Sequence, residues 1–172
     1  GRRLVVFFGS TIGNLGPTER HDLLAEIRGQ MASGDRLLVG VGLVKDTGTL
    51  EAASNDSSGV TGEFNRNILR VVNSSLHADF APGAFRHHAF YNEAASRIEM
   101  HLVSRERQSV HVAGLELTVT LEKGETIWTE SSYKFTRESV QAMLEPAGMH
   151  LEHWYVHPNP AERFGLALAK PT

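Results

Sequence analysis

Hydrophobic and polar positions follow two rhythms along this chain, and the change of rhythm divides it. Leu4-Val5-Val6-Phe7-Phe8 is an unbroken apolar run that stops at Gly9-Ser10-Thr11-Ile12-Gly13-Asn14. Five apolar residues without alternation suit a central parallel strand covered on both faces, and the glycines beyond it let the backbone turn tightly against something bulky. Ligands of open α/β sheets sit beyond the carboxyl ends of the strands, which makes this loop the first place to look for a site. The same Gly-x-x-x-Gly spacing also suits an ordinary strand-to-helix loop, and it matches no phosphate-binding fingerprint. Pro17 then opens a helix in which Leu23, Leu24, Ile27 and Met31 recur at helical spacing until Gly34 closes it. Asp35 to Val44 is a second apolar run, which pairs most naturally in parallel with the first as a βαβ unit.

From Lys45 onward the pattern loosens. A short helix is expected around Thr49-Leu50-Glu51-Ala52-Ala53, a turn at Asp56-Ser57-Ser58-Gly59, and a longer amphipathic helix from Thr61 whose apolar stripe is Phe64, Ile68, Val71, Val72 and Leu76. After His77-Ala78-Asp79 the period becomes two. Strands are predicted at Phe85 to Tyr91, Arg97 to Ser104, Ser109 to Val112 and Leu115 to Leu121, with turns at Asn92-Glu93 and Lys123-Gly124. An antiparallel meander following helices is a separate layer, so this stretch reads as a lobe inserted into the α/β sheet. The last forty or so residues return to the earlier pattern. Thr136 caps a helix carrying Val140, Met143 and Leu144, which ends near Pro146 and Gly148; Leu151 to Val156 and Phe164 to Ala169 follow as strands around a break at Pro158-Asn159-Pro160. An antiparallel hairpin closing an otherwise parallel sheet resembles the end of a class I S-adenosylmethionine-dependent methyltransferase. The expected fold is therefore α/β: residues 1–43 and 133–172 form part of a class I methyltransferase (Rossmann-like) sheet, and residues 44–132 form an inserted α+β substrate-binding lobe.

Composition narrows the classes of partner. With 172 residues and 41% hydrophobic content the chain can bury one good core. Seventeen basic against twenty acidic residues, a net charge of -3, offer no electrostatic footprint for nucleic acid or an anionic membrane surface. No apolar run approaches the roughly 18 residues needed to cross a bilayer. The absence of cysteine excludes disulfides, thiolate metal sites and cysteine nucleophiles, and makes a reducing cytoplasm the default compartment. The expected partner is a small molecule; the oligomeric state is not legible. The chain lacks an initiator Met and a signal-peptide cleavage region, so it reads as cut from something longer.

Four stretches carry the candidate chemistry: Gly9-Ser10-Thr11-Ile12-Gly13-Asn14, Leu43-Val44-Lys45-Asp46, Gly59 to Asn67, and Thr129-Glu130-Ser131-Ser132-Tyr133-Lys134-Phe135. With Arg97-Ile98-Glu99-Met100-His101-Leu102 between them, their order resembles the C-terminal half of the histidine-specific Nα-methyltransferases of ergothioneine biosynthesis, over about Leu4 to Ala169. The resemblance implies that Asn14 holds the α-carboxylate of an amino-acid substrate and that Glu130 and Ser132 receive its imidazole. It also implies an S-adenosylmethionine cofactor, with Gly9 and Ser10 bordering the donor while the family's glycine-rich loop and ribose-holding acid lie upstream of this sequence. Physically, a carboxylate and a hydroxyl two residues apart share a strand face and can meet a ring bearing N–H groups. A helix or turn cap for Asn14 and a solvated strand face for Glu130 and Ser132 are the ordinary alternatives.

Two positions depart from the family pattern. Ser54 stands where the family has a tyrosine sharing the carboxylate, and Gly42 where the second strand usually ends in an aspartate. They leave open a larger substrate, such as a prenylated tryptophan, or a non-catalytic binding module derived from the family. The nine histidines do not assemble a convincing ligand set, and no metal is expected. Lys45-Asp46 reads as a structural turn and Trp154-Tyr155 as strand core.

Overall fold

The computed structural model describes residues 1–159 and 164–172. In chain order the strands are β1 (Leu4–Phe7), β2 (Arg36–Gly42), β3 (Phe85–Asn92), β4 (Arg97–Ser104), β5 (Gln108–Val112), β6 (Leu117–Leu121), β7 (Thr126–Tyr133), β8 (Met149–Val156) and β9 (Phe164–Pro171). The α-helices are α1 (Pro17–Gly29), α2 (Thr47–Ser54), α3 (Val60–Leu76) and α4 (Arg137–Leu144). The chain folds as two compact units. One comprises Gly1–Lys45, Glu93–Arg97 and Ser131–Thr172, the other Asp46–Asn92 and Ile98–Glu130. Pro160, from the expected break, lies outside the described residues.

The first unit is built on a sheet of order β1-β2-β9-β8. β1 and β2 pair in parallel, Leu4 with Arg36 through Phe7 with Val39, as a crossover through α1 requires. β9 runs antiparallel to both β2 and β8. Alternation sends Leu37, Val39, Val41, Ala167 and Ala169 into one core with Ile12, Leu24, Val140, Leu144 and Met149. The opposite face is open: Leu4, Val6, Phe8, Phe164 and Leu166 are all exposed. The unbroken apolar run at the start of the chain is thus covered on one face, not the two expected, because α1 and α4 pack on the same side.

Local chemistry sets the ends of these elements. Pro17 occupies the first turn of α1, and the Glu19 carboxylate accepts the N–H of Gly16 at 2.7 Å. The helix stops at Gly29 rather than at Gly34, so Met31 reaches the core from the following loop. The buried Asp35 then starts β2: its carboxylate accepts the N–H of Ala32 at 2.9 Å, the N–H of Arg3 at 2.8 Å and the Arg3 guanidinium at 2.7 Å. Those bonds hold its carboxyl down to about 2, the Ala32 amide contributing most and the Arg3 side chain next. Trp154 packs against the core as expected, over Gly165, where a Cβ would stand 2.5 Å from the indole. Tyr155, expected beside it in the core, is 53% exposed because alternation turns it to the open face.

The second unit places α2 and α3 with a sheet of order β3-β4-β7, and a separate ribbon of β5 and β6. The anticipated single meander is therefore broken in two. The largest departure is α3. Its buried residues are Gly62, Asn65 and Leu69, while Phe64 is 69% and Val71 53% exposed. A Cβ on Gly62 would lie 3.3 Å from the Cβ of His87, so glycine lets the helix ride close to β3 on its small, polar side. Asn65 completes that choice by hydrogen bonding into the sheet, which the apolar stripe alone could not reveal. The N-terminus of α3 is held by Asp56, whose carboxylate accepts the Ser58 hydroxyl and the N–H groups of Val60 and Thr61. The Ser58 bond leads in keeping that carboxyl well below the usual carboxylate range.

Candidate functional site

Within the first unit the strand-to-helix loop is bent where a site needs it to be. Gly9 has φ of +81° and Ser10 +57°, two successive left-handed residues that turn the chain sharply at the end of β1. Thr11–Asn14 follow as a 3-10 turn that rests on the end of β7: a Cβ on Gly13 would stand 2.8 Å from the carbonyl oxygen of Tyr133. Asn14 and Ser132 thus each adjoin one side of the same close approach. A Cβ on Gly42 would sit 3.8 Å from the Lys134 ammonium and 3.9 Å from the Ser10 hydroxyl, and that ammonium donates to the Ser132 hydroxyl at 2.7 Å. Ser10 and Ser132, predicted for different ligands, therefore line one neighbourhood in which Lys134 is the cation that the residue-by-residue reading passed over. Gly42 has ordinary room around it, so a glycine there opens space without being demanded by the backbone.

Beside the same loop, Phe8, Gly9, Ser10, Gly40, Phe164 and Leu166 border a cleft of about 470 Å³ on the open sheet face. It is apolar, and no acidic residue lines it among the described residues.

The second unit carries Ser54 and Glu130. Ser54 ends α2, and its carbonyl, not its hydroxyl, accepts the Nε2–H of His87 at 2.8 Å. His87 Nδ1 is bonded in turn to the side-chain amide of buried Asn65 at 2.9 Å, so both ring nitrogens have partners. Glu130 lies on β7 with Trp128, whose indole N–H donates to the Glu130 carbonyl at 2.9 Å. Trp128 stacks on His101, His101 on Phe90 and Phe90 on His88, with ring centroids 5.5–5.9 Å apart. Because alternate residues share a strand face, Glu130 and the buried Glu99 stand on the same face as that ladder. Glu99 accepts from Asn92 at 2.9 Å and from His101 Nε2 at 3.2 Å. Neither the ladder nor the Asn65–His87 pair was singled out from sequence; alternation in β3 and β4 was the only signal for the former.

Compared with known proteins, the chain matches the profile of the family described as histidine-specific methyltransferase, SAM-dependent, over residues 1–171. The chain belongs to that family. It is 51% identical over 169 residues to histidine N-alpha-methyltransferase of Mycolicibacterium smegmatis and 49% identical over 169 residues to the enzyme of that name from Mycobacterium tuberculosis. Each match covers 98% of this chain and 52% of the relative. Ergothioneine biosynthesis protein 1 of Neurospora crassa is 24% identical over 151 residues, covering 80% of this chain and 17% of that protein. The chain thus spans about half the length of the curated mycobacterial relatives it matches.

Membership makes S-adenosylmethionine the methyl donor of the family, and the cleft at Gly9 and Ser10 fits it in part. Its apolar floor and left-handed turn suit a flat group lying close to the backbone, whereas among the described residues the lining offers no carboxylate for ribose hydroxyls. No helix among the described residues is long and apolar enough to cross a membrane.

Proposed function

We propose that the protein carrying this chain is an S-adenosylmethionine-dependent Nα-methyltransferase of histidine, producing its trimethylated betaine on the route to ergothioneine. The observation that carries the reading is the family match along residues 1–171, together with Asn14, Glu130 and Ser132 at the positions the resemblance assigns to substrate.

The bound donor supplies an electrophilic methyl on a sulfonium sulfur. This chain's residues bind and orient the amine that takes it. Asn14 holds the α-carboxylate, Glu130 accepts an imidazole N–H, and Ser132, whose hydroxyl already receives the Lys134 ammonium, presents its oxygen to the ring. Gly9 and Ser10 border the donor. In-line displacement draws most of its rate from such positioning, with the amine neutral at the moment of attack. Ser54, small where the family has tyrosine, supports a second reading in which the amino acid is larger than histidine.

The test is incubation of the full-length protein with S-adenosylmethionine and each amino acid in turn, including prenylated tryptophan, followed by mass spectrometry. Successive methyl additions to histidine support the first reading. Methylation of a larger amino acid with histidine untouched would replace it with the second, and methylation of none would leave a binding module.

A further inference from the structure

Arg20, on the first turns of α1, is 8% exposed, yet no carboxylate lies within ion-pair distance of it among the described residues, and its Nε is buried without a hydrogen-bond partner. A buried guanidinium without a counter-anion is costly. Its flat face is occupied: the central carbon lies 4.3 Å from the ring centroid of Tyr133 and 5.2 Å from that of Phe135. What remains is the edge of the group, where the N–H bonds point. Burial also lowers the pKa of Arg20 from its ordinary value, with Tyr133 opposing the shift.

That side chain lines a cavity of about 440 Å³ within the first unit, a size suited to a small organic molecule. Tyr133, Phe135, Ala142 and Met143 make its walls apolar, Lys134 adds a second basic side chain to its lining, and no Asp or Glu lines it among the described residues. An apolar chamber with one unmatched guanidinium edge selects an anion that is flat at its charged end and greasy elsewhere. A carboxylate meets such an edge with two parallel N–H···O bonds, the geometry in which arginine binds best.

We propose that this cavity is a binding site for a small organic carboxylate with an apolar body, its carboxylate held by the Arg20 guanidinium. None of Asn14, Glu130 and Ser132 lines this cavity, although Lys134, which donates to Ser132, does; the site is read by binding, so it can fail while the enzymatic reading stands, and the reverse.

Isothermal titration of the full-length protein with phenylacetate tests it, with 2-phenylethanol and inorganic phosphate as comparison probes. The expected result is saturable binding of phenylacetate at one site, at least tenfold weaker binding of the neutral alcohol and of the bare anion, and at least a tenfold loss in Arg20→Met. Absence of saturable phenylacetate binding, or undiminished binding in Arg20→Met, would overturn the proposal. Equal affinity for inorganic phosphate would overturn the assignment of ligand class. Should Arg20→Met fail to fold, Ala142→Trp fills the chamber from α4 with Arg20 in place, and unchanged phenylacetate affinity there sinks the proposal equally.

Discussion

His87 donates its Nε2–H to the carbonyl of Ser54, 2.8 Å away, and receives the amide of Asn65 at its other nitrogen, 2.9 Å away. One ring therefore ties the end of α2 to the buried side of α3. Replacing Asn65 by Leu leaves the half-buried His87 Nδ1 without that donor, and a polar atom left unmet away from water costs about 1–3 kcal/mol. Urea denaturation should register a loss of that order for Asn65→Leu. A change within experimental error would mean that water replaces the amide without penalty.

Glu130 yields the sharpest functional expectation. A hydrogen bond to a charged group is worth about 1.5–3 kcal/mol, so Glu130→Ala in the full-length protein should weaken histidine binding by about tenfold to a hundredfold. Affinity for S-adenosylhomocysteine should scarcely change, because the cleft beside Gly9 and Ser10 does not include Glu130. Calorimetric titration with each ligand separates the outcomes. Equal losses for both would assign Glu130 to holding the fold, and no loss for either would move the substrate pocket elsewhere.

Gly13 tests the seam beneath Asn14. An added methyl would stand 2.8 Å from the Tyr133 carbonyl, a backbone atom that cannot swing aside as a side chain would. Overpacking of this kind costs about 1–3 kcal/mol, so Gly13→Ala should lower stability by that amount and shift Asn14. Thermal melting reads the first effect. Wild-type melting in Gly13→Ala would show that the loop accommodates the methyl.

Asp35 fixes a pH dependence. Its carboxyl titrates at about 2 in the folded chain against an ordinary 3.8, so the fold favours the charged form. The stability gained is present in full above 3.8 and lost as the pH falls through about 2. Asp35→Asn should therefore melt below the wild type at neutral pH, with the gap closing across that acid window. A constant gap throughout the window would assign the stabilisation to shape rather than charge.

The order of elements was legible because the unbroken runs starting at Leu4 and Leu37, and alternation in β4, each carry an unambiguous pattern. The helices were less faithful. In α3 the periodic residues Phe64, Ile68 and Val71 form a good stripe, but the side that fits the sheet is the one where Gly62 removes bulk and Asn65 finds partners, and packing outranks periodicity. The run Thr129-Glu130-Ser131-Ser132 hides the alternation of β7 because both faces carry polar residues there. For the site, motif order pointed to Ser10 and Ser132 separately, while their common neighbour Lys134 emerges only from three-dimensional distances. Arg20 looked like any polar residue on an amphipathic helix; its burial comes from aromatic rings more than a hundred positions away.

Leu4, Val6, Phe8, Phe164 and Leu166 leave one side of the sheet apolar and bare, with exposures between 37% and 56%. Water gains by withdrawing from such a surface, so whatever is greasy and nearby will be drawn to it. Produced by itself, this chain should brighten an anilinonaphthalenesulfonate dye, sediment as a concentration-dependent mixture of species, and lose both traits when Val6 and Leu166 are replaced by Thr and Lys. Its practical behaviour in the test tube is therefore governed less by its well-filled core than by its uncovered side, where detergent, dye, chaperone and sister molecules all compete.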